Sequence, residues 1–325
     1  MNMDGGKKMS RTRLVKTTQK SGFKYTLKKF ARQKYLQMMV IPGIIWMLIF
    51  NFIPMGGIII AFKKYKITRT IAEAPWVGLK YFQDFFQDSN FTSVMTNTLG
   101  ISFLKLILGF PLPIIFALLI NEIRNVKFKK FAQTISYLPH FLSWVVLGGI
   151  LTTWLSKTGV INDFFVWLGI IKEPISFLGK PEYFWGLAFI SDSWKELGWS
   201  AIIYLAAISG VDTQMYEAAT VDGATKMQKI RYITLPSIAG TVAIMLILQV
   251  SSLLNSNFDQ IMNLKNSINI ARSQVIDTYV YQVGMTQGNY SYATAVGLFK
   301  SIVALILLVI ANKTCKKLLG RSLYR

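Results

Sequence analysis

The chain has 325 residues, 52% hydrophobic and only 16% charged, whereas soluble domains carry charge on roughly a quarter of their residues. A net charge of +21 raises nucleic acid as a partner, but the basic residues are concentrated at one end and the apolar residues run in long blocks instead of amphipathic stripes. An ordinary soluble domain is excluded, and one membrane-embedded domain is favoured.

Eleven of the 36 Lys and Arg residues precede Tyr35. Phe23, Leu27, Phe30, Ala31 and Met38 recur there at helical spacing among Lys24, Lys28, Lys29, Arg32 and Lys34. The pattern predicts a basic amphipathic helix on the anionic cytoplasmic leaflet, within a tail spanning 1–36, and not a nucleic-acid arm. The long basic region and the missing small-residue cleavage site are unlike a secretory signal, so the tail is expected to be retained.

A bilayer core takes about 20 apolar residues to cross. Six segments qualify, at 37–62, 96–120, 134–155, 183–209, 236–256 and 291–312. Pro42, Pro54, Pro111 and Pro113 lie in the first two, which membrane helices accommodate when the freed carbonyls find other donors. With a cytoplasmic N-terminus the inner segments hold 23 Lys and Arg and the outer loops 10, which predicts both termini inside. Lys63, Lys64 and Lys66, just outside the first span, run against that count. The expected architecture is an all-α membrane domain of six helices over 37–312, followed by a basic cytoplasmic tail at 313–325.

The only cysteine, Cys315, permits neither an intrachain disulfide nor a cysteine metal cluster, and the only histidine, His140, cannot make a His-rich metal site. No metal site is expected. His140 is read as a packing or cavity-facing residue.

Five charges fall inside predicted spans: Lys105, Asp192, Lys195, Glu196 and Lys300. Each costs roughly a few kcal/mol there and counts as a candidate functional group. Lys105, Lys195 and Lys300 fall at similar predicted depths, about 13 to 18 Å below the outer helix ends at 1.5 Å per residue. They are expected to share a hydrated cavity of positive bias. Asp192, Lys195 or Glu196, and Trp199 share one helical face, setting charge beside an aromatic ring; Gln249, Ser252 and Asn255 or Ser256 form a second polar face. Structural ion pairs between helices, such as Asp192 with Lys195, are the competing reading.

The connection between the fourth and fifth spans reads Tyr216-Glu217-Ala218-Ala219-Thr220-Val221-Asp222-Gly223, and ends Ile233-Thr234-Leu235-Pro236. Ala and Glu suit a short helix, Gly223 a sharp turn, and Pro236 the first turn of the next helix. These residues resemble the EAA loop of ABC importer permeases, EAA, three residues, Gly, nine residues, then I-x-LP. Seven specified residues would coincide by chance at roughly one in 10^8 per start position.

Elsewhere Asn97-Thr98-Leu99, Tyr137 to Val146, Trp194-Lys195-Glu196-Leu197-Gly198-Trp199 and Gly297-Leu298-Phe299-Lys300-Ser301 resemble the polysaccharide-permease branch of the maltose-transporter-like permeases, binding-protein-dependent inner membrane components. The resemblance implies the type I importer permease fold and uptake of oligosaccharides or polysaccharide fragments; a non-sugar solute such as a peptide or organic anion is the alternative. It also implies that the loop at 211–236 is a coupling helix seated in an ATPase, with Tyr216, Glu217, Ala218, Ala219, Asp222, Gly223 and Pro236 as coupling residues. A second permease, two ATPase subunits or domains, and an extracellular solute-binding protein are the implied partners.

The chain has no phosphate-loop motif G-x-x-x-x-G-K-[ST], so ATP and Mg are expected on the ATPase. A passive channel has no use for a motor-docking loop. An embedded enzyme would require convergent catalytic groups, for which no motif appears.

Overall fold

The computed structural model describes residues 33–319. Residues 1–32 of the predicted basic tail, and with them most of its amphipathic helix, lie outside the described residues. The described residues divide into two compact units, one ending at Gly57 and the other beginning at Ile58. Among the described residues there is no strand, only an isolated bridge between Lys63 and Trp76.

In chain order the helices are α1 (Lys34–Phe62), α2 (Lys80–Gln87), α3 (Phe91–Glu122), α4 (Val126–Phe141), α5 (Trp144–Trp154), α6 (Val160–Trp167), α7 (Phe184–Ser209), α8 (Thr213–Val221), α9 (Lys226–Ser251), α10 (Phe258–Leu264), α11 (Ile276–Tyr281) and α12 (Tyr290–Leu319), with single turns between some of them. Four of them, α1, α3, α9 and α12, are long and apolar enough to cross a membrane, and the α4–α5 pair is a bent fifth candidate. Helix α7 has the length, 26 residues, but carries Asp192, Lys195 and Glu196.

Prolines inside the long helices leave a recurrent signature. Wide i→i−5 turns at Leu48–Phe52, Lys105–Gly109 and Ile230–Thr234 come just before Pro54, Pro111 and Pro236. A proline lacks the N–H for its helical bond and its ring crowds the carbonyl four residues back; widening the preceding turn absorbs both problems and keeps the helix running. In α3 the Phe110 N–H reaches the Lys105 carbonyl at 2.9 Å across such a turn.

The predicted third span, 134–155, is not one helix. Helices α4 and α5 meet at an angle of 99°. Leu142 is extended, and the Ser143 hydroxyl accepts from the Val146 N–H at 3.3 Å, so α5 starts with its own N-cap. A second difference concerns the segment between the fifth and sixth predicted spans, expected as an outer loop. It turns back into the protein, where Val275, Ile276 and Thr278 are fully buried. Asn97 of α3 donates to the carbonyls of Ala271 and Gln274, each at 3.1 Å, and Thr98 accepts from the Ile276 N–H at 2.9 Å. Trp185 of α7 donates to the Arg272 carbonyl at 3.0 Å. This satisfies an irregular backbone that lipid could not satisfy.

Packing fixes the helix directions around the site. Ile101 clusters with Phe184 and Ala188, while Ala117 clusters with Ala201 and Tyr204, so α3 and α7 run parallel. Ile238 of α9 joins the second cluster, next to the α8 hairpin that links α7 to α9. Phe85, Val94, Ile276 and Val296 bind α2, α3, α11 and α12 together at the opposite end of α3.

Candidate functional site

Two adjoining cavities of about 220 and 720 Å³ share Lys105, Asp192, Glu196 and Gln249 in their walls. Ser252 and Asn255 line the larger one. The two polar faces read from α7 and α9 are thus brought together, with α3 contributing Lys105 from its wide turn.

Lys105, Asp192 and Glu196 in the wall are held in ion pairs. The Lys105 ammonium lies 3.1 Å from Asp192 and donates to Gln260 at 3.0 Å. Gln260, wholly buried, donates in turn to the Ala188 carbonyl at 2.6 Å and the Ser191 hydroxyl at 2.9 Å. Asn257 donates to the other Asp192 oxygen at 2.9 Å from a left-handed backbone, φ +56°. Such a lattice offsets much of the desolvation cost of a buried pair, because the lone pairs and protons left over by the ion pair are also satisfied.

Lys195 and Lys300 sit elsewhere. Lys195 is 5% exposed and turns away from the cavity, donating to the His140 carbonyl at 2.5 Å and lying 3.3 Å from Glu196. Glu196 bridges back to His140 Nδ1 at 2.7 Å, and the imidazole stacks on Trp199 at 4.3 Å with parallel planes. The α4–α5 elbow is thereby pinned to α7. Lys300 pairs with Asp277, whose second oxygen accepts from the Ser256 N–H at 3.3 Å. Asp277, Asn257, Asp259 and Gln260 carry no sequence signal, since all lie in the segment expected to be an outer loop.

The loop at 211–236 is a tight hairpin. Helix α8 starts on Asp212, which accepts from the Gln214 N–H at 2.9 Å, and ends with Asp222 donating to the Ala218 carbonyl at 3.0 Å. Gly223 follows at φ +75°. Its N–H reaches the Thr220 carbonyl at 3.1 Å and that of Ala224 reaches Ala219 at 2.8 Å, the paired bonds of a Schellman stop. Thr225 and Gln228 then form a capping box that starts α9. The Tyr216 hydroxyl braces the hairpin from within, 2.9 Å from Thr234, beside the wide turn before Pro236. Glu217, Ala218 and Val221 are left exposed, and Ala219 and Gly223 border a hollow of about 330 Å³.

A family model described as binding-protein-dependent transport system inner membrane component matches residues 109–315, a stretch that holds the hairpin and two of the cavity-lining helices, α7 and α9. The chain belongs to this family. This permease is 43% identical over 287 residues to Protein LplB of Bacillus subtilis (strain 168), spanning 88% of the chain and 90% of that relative. It is also 43% identical over 302 residues to the polygalacturonan/rhamnogalacturonan transport system permease protein YteP of the same organism, spanning 93% and 94%. Among solved structures, a chain of a bacterial alginate ABC transporter, in complex with alginate pentasaccharide-bound periplasmic protein, superposes with a TM-score of 0.84 at 38% identity, covering 91% of the permease and 99% of that chain. The permease is therefore a multi-pass subunit of the cytoplasmic membrane and a transport component, not an enzyme.

Proposed function

We propose that the permease forms half of the path of an ATP-driven importer for oligosaccharides or polysaccharide fragments. The observation that carries this reading is the polar cavity, whose carboxylates, amides and hydroxyls are the groups that pair with sugar hydroxyls. The names of YteP and of the alginate transporter support the saccharide class. All six predicted segments cross the membrane in this reading, the third through the α4–α5 elbow and the fourth through α7, with both termini and the 211–236 hairpin in the cytoplasm. The domain order is the basic tail at 1–36, the permease domain at 37–312 and the C-terminal tail at 313–325.

Lys105, Asp192, Glu196, Gln249, Ser252 and Asn255 line the substrate path, while Lys195, Trp199 and Lys300 hold its walls. Tyr216, Glu217, Ala218, Ala219, Asp222, Gly223 and Pro236 form and present the surface on which an ATPase docks. Small alanines allow close approach, and Glu217 offers a carboxylate to a cationic partner group. The ATPase brings ATP and Mg, a second permease closes the path, and a solute-binding protein delivers cargo from outside.

Deleting the permease tests the substrate class. Uptake of labelled oligosaccharides by intact cells is expected to fall at least tenfold and to return on complementation, while peptide and organic-anion uptake stays unchanged. Loss of peptide or organic-anion uptake with saccharide uptake intact would overturn the reading.

A further inference from the structure

Within the larger cavity one charge stands apart. Lys105 is matched by Asp192, and Glu196 by Lys195 and His140. Asp259, in the first turn of α10, lines the same wall, yet its carboxylate has no ion-pair or hydrogen-bond partner among the described residues. Only its main-chain carbonyl is engaged, by the Asn263 side chain at 2.7 Å. A first-turn carboxylate also complements a helix dipole, but that role does not require it to face a cavity, and the Asn257 side chain already caps α10. The wall is thus two neutralised pairs plus one uncompensated negative charge, and it offers an anionic sugar no unpaired ammonium.

We infer that Asp259 sets the charge selectivity of this half of the path. Its carboxylate repels the carboxylates of acidic saccharides, so preference for acidic cargo, where the importer has it, comes from its other subunits. The inference rests on the saccharide reading above. Two like charges about 6 Å apart in a hydrated cavity repel by an amount that changes passage from roughly threefold, at the water limit, to roughly a hundredfold, at the limit for a protein surface.

The test uses the whole importer in proteoliposomes, with ATP inside and binding protein outside, and compares uptake of tri-galacturonate with that of its uncharged methyl ester. In Asp259→Asn the acid-to-ester ratio is expected to rise by at least about threefold, the water limit for the repulsion, while Asp259→Glu keeps the wild-type ratio. In the wild type, raising the salt concentration should increase the same ratio by screening, and in Asp259→Asn it should not. An unchanged ratio in Asp259→Asn, with the ester still transported, overturns the role of Asp259 and leaves the saccharide reading standing. Failure of the wild type to transport any member of a wider saccharide panel overturns both.

Discussion

Replacing Gly198 by alanine is expected to destabilise the permease by about 3 kcal/mol or more, at or above the top of the usual range for overpacked sites. A Cβ built there would lie 2.2 Å from the Ser136 carbonyl oxygen and 2.4 Å from its carbon. Because these are backbone atoms of α4, no rotamer change relieves the overlap, and the two helices must separate. Membrane helices rely on small residues for such close approach, since lipid leaves van der Waals packing and polar contacts to hold them together. Separation would also pull His140 away from Glu196 and Lys195, leaving charges unpaired at the elbow. Gly186→Ala, on the same helix, meets nothing within 4 Å and is the control. It should be neutral or stabilising by up to about 1 kcal/mol, from helix propensity alone. Thermal unfolding of the detergent-solubilised complex, followed by size-exclusion chromatography, measures both; equal midpoints for the two variants would contradict the close packing.

Replacing Gly223 by valine is expected to reduce substrate-stimulated ATP hydrolysis about tenfold or more while leaving membrane insertion intact. The space around Gly223 is open, with nothing within 4 Å of an added Cβ, so the penalty is conformational and not steric. At φ +75° a β-branched residue is strained by about 1–3 kcal/mol, and the hairpin escapes by giving up the Schellman bonds of Gly223 and Ala224. Each 1.36 kcal/mol lost from a transition state slows a step tenfold. Wild-type stimulation in an assembled Gly223→Val complex would show that the shape of the hairpin does not carry the coupling.

What could be read from the sequence follows from what each signal encodes. Apolar block length located the long helices, and the hairpin was legible because its Ala and Glu content, Gly223 and Pro236 each have a local backbone reason to be where they are, whereas the caps at Asp212 and Thr225 were not read. Depth could be estimated along a helix, but facing could not. Lys195 is adjacent to Glu196, about 100° around α7, and that step carries its side chain off the cavity wall and onto the elbow. The elbow itself was hidden because Pro139 and Ser143 lie in an apolar run that reads equally well as a tolerated proline within a span. Counting two carboxylates against three ammonium groups left one lysine without a partner, and in the structure Lys300 is the one that neither Asp192 nor Glu196 meets. Asp277 supplies its partner from a segment that hydropathy assigns to a loop.

The most direct test of the account is saccharide uptake into proteoliposomes containing the complex purified through this chain, together with its binding protein. The account predicts a complex of two permeases and two ATPase subunits or domains, and uptake only when ATP and Mg are supplied on the hairpin side. Uptake that continues at the same rate with a non-hydrolysable ATP analogue, or a complex whose mass fits a single permease without an ATPase, would contradict it.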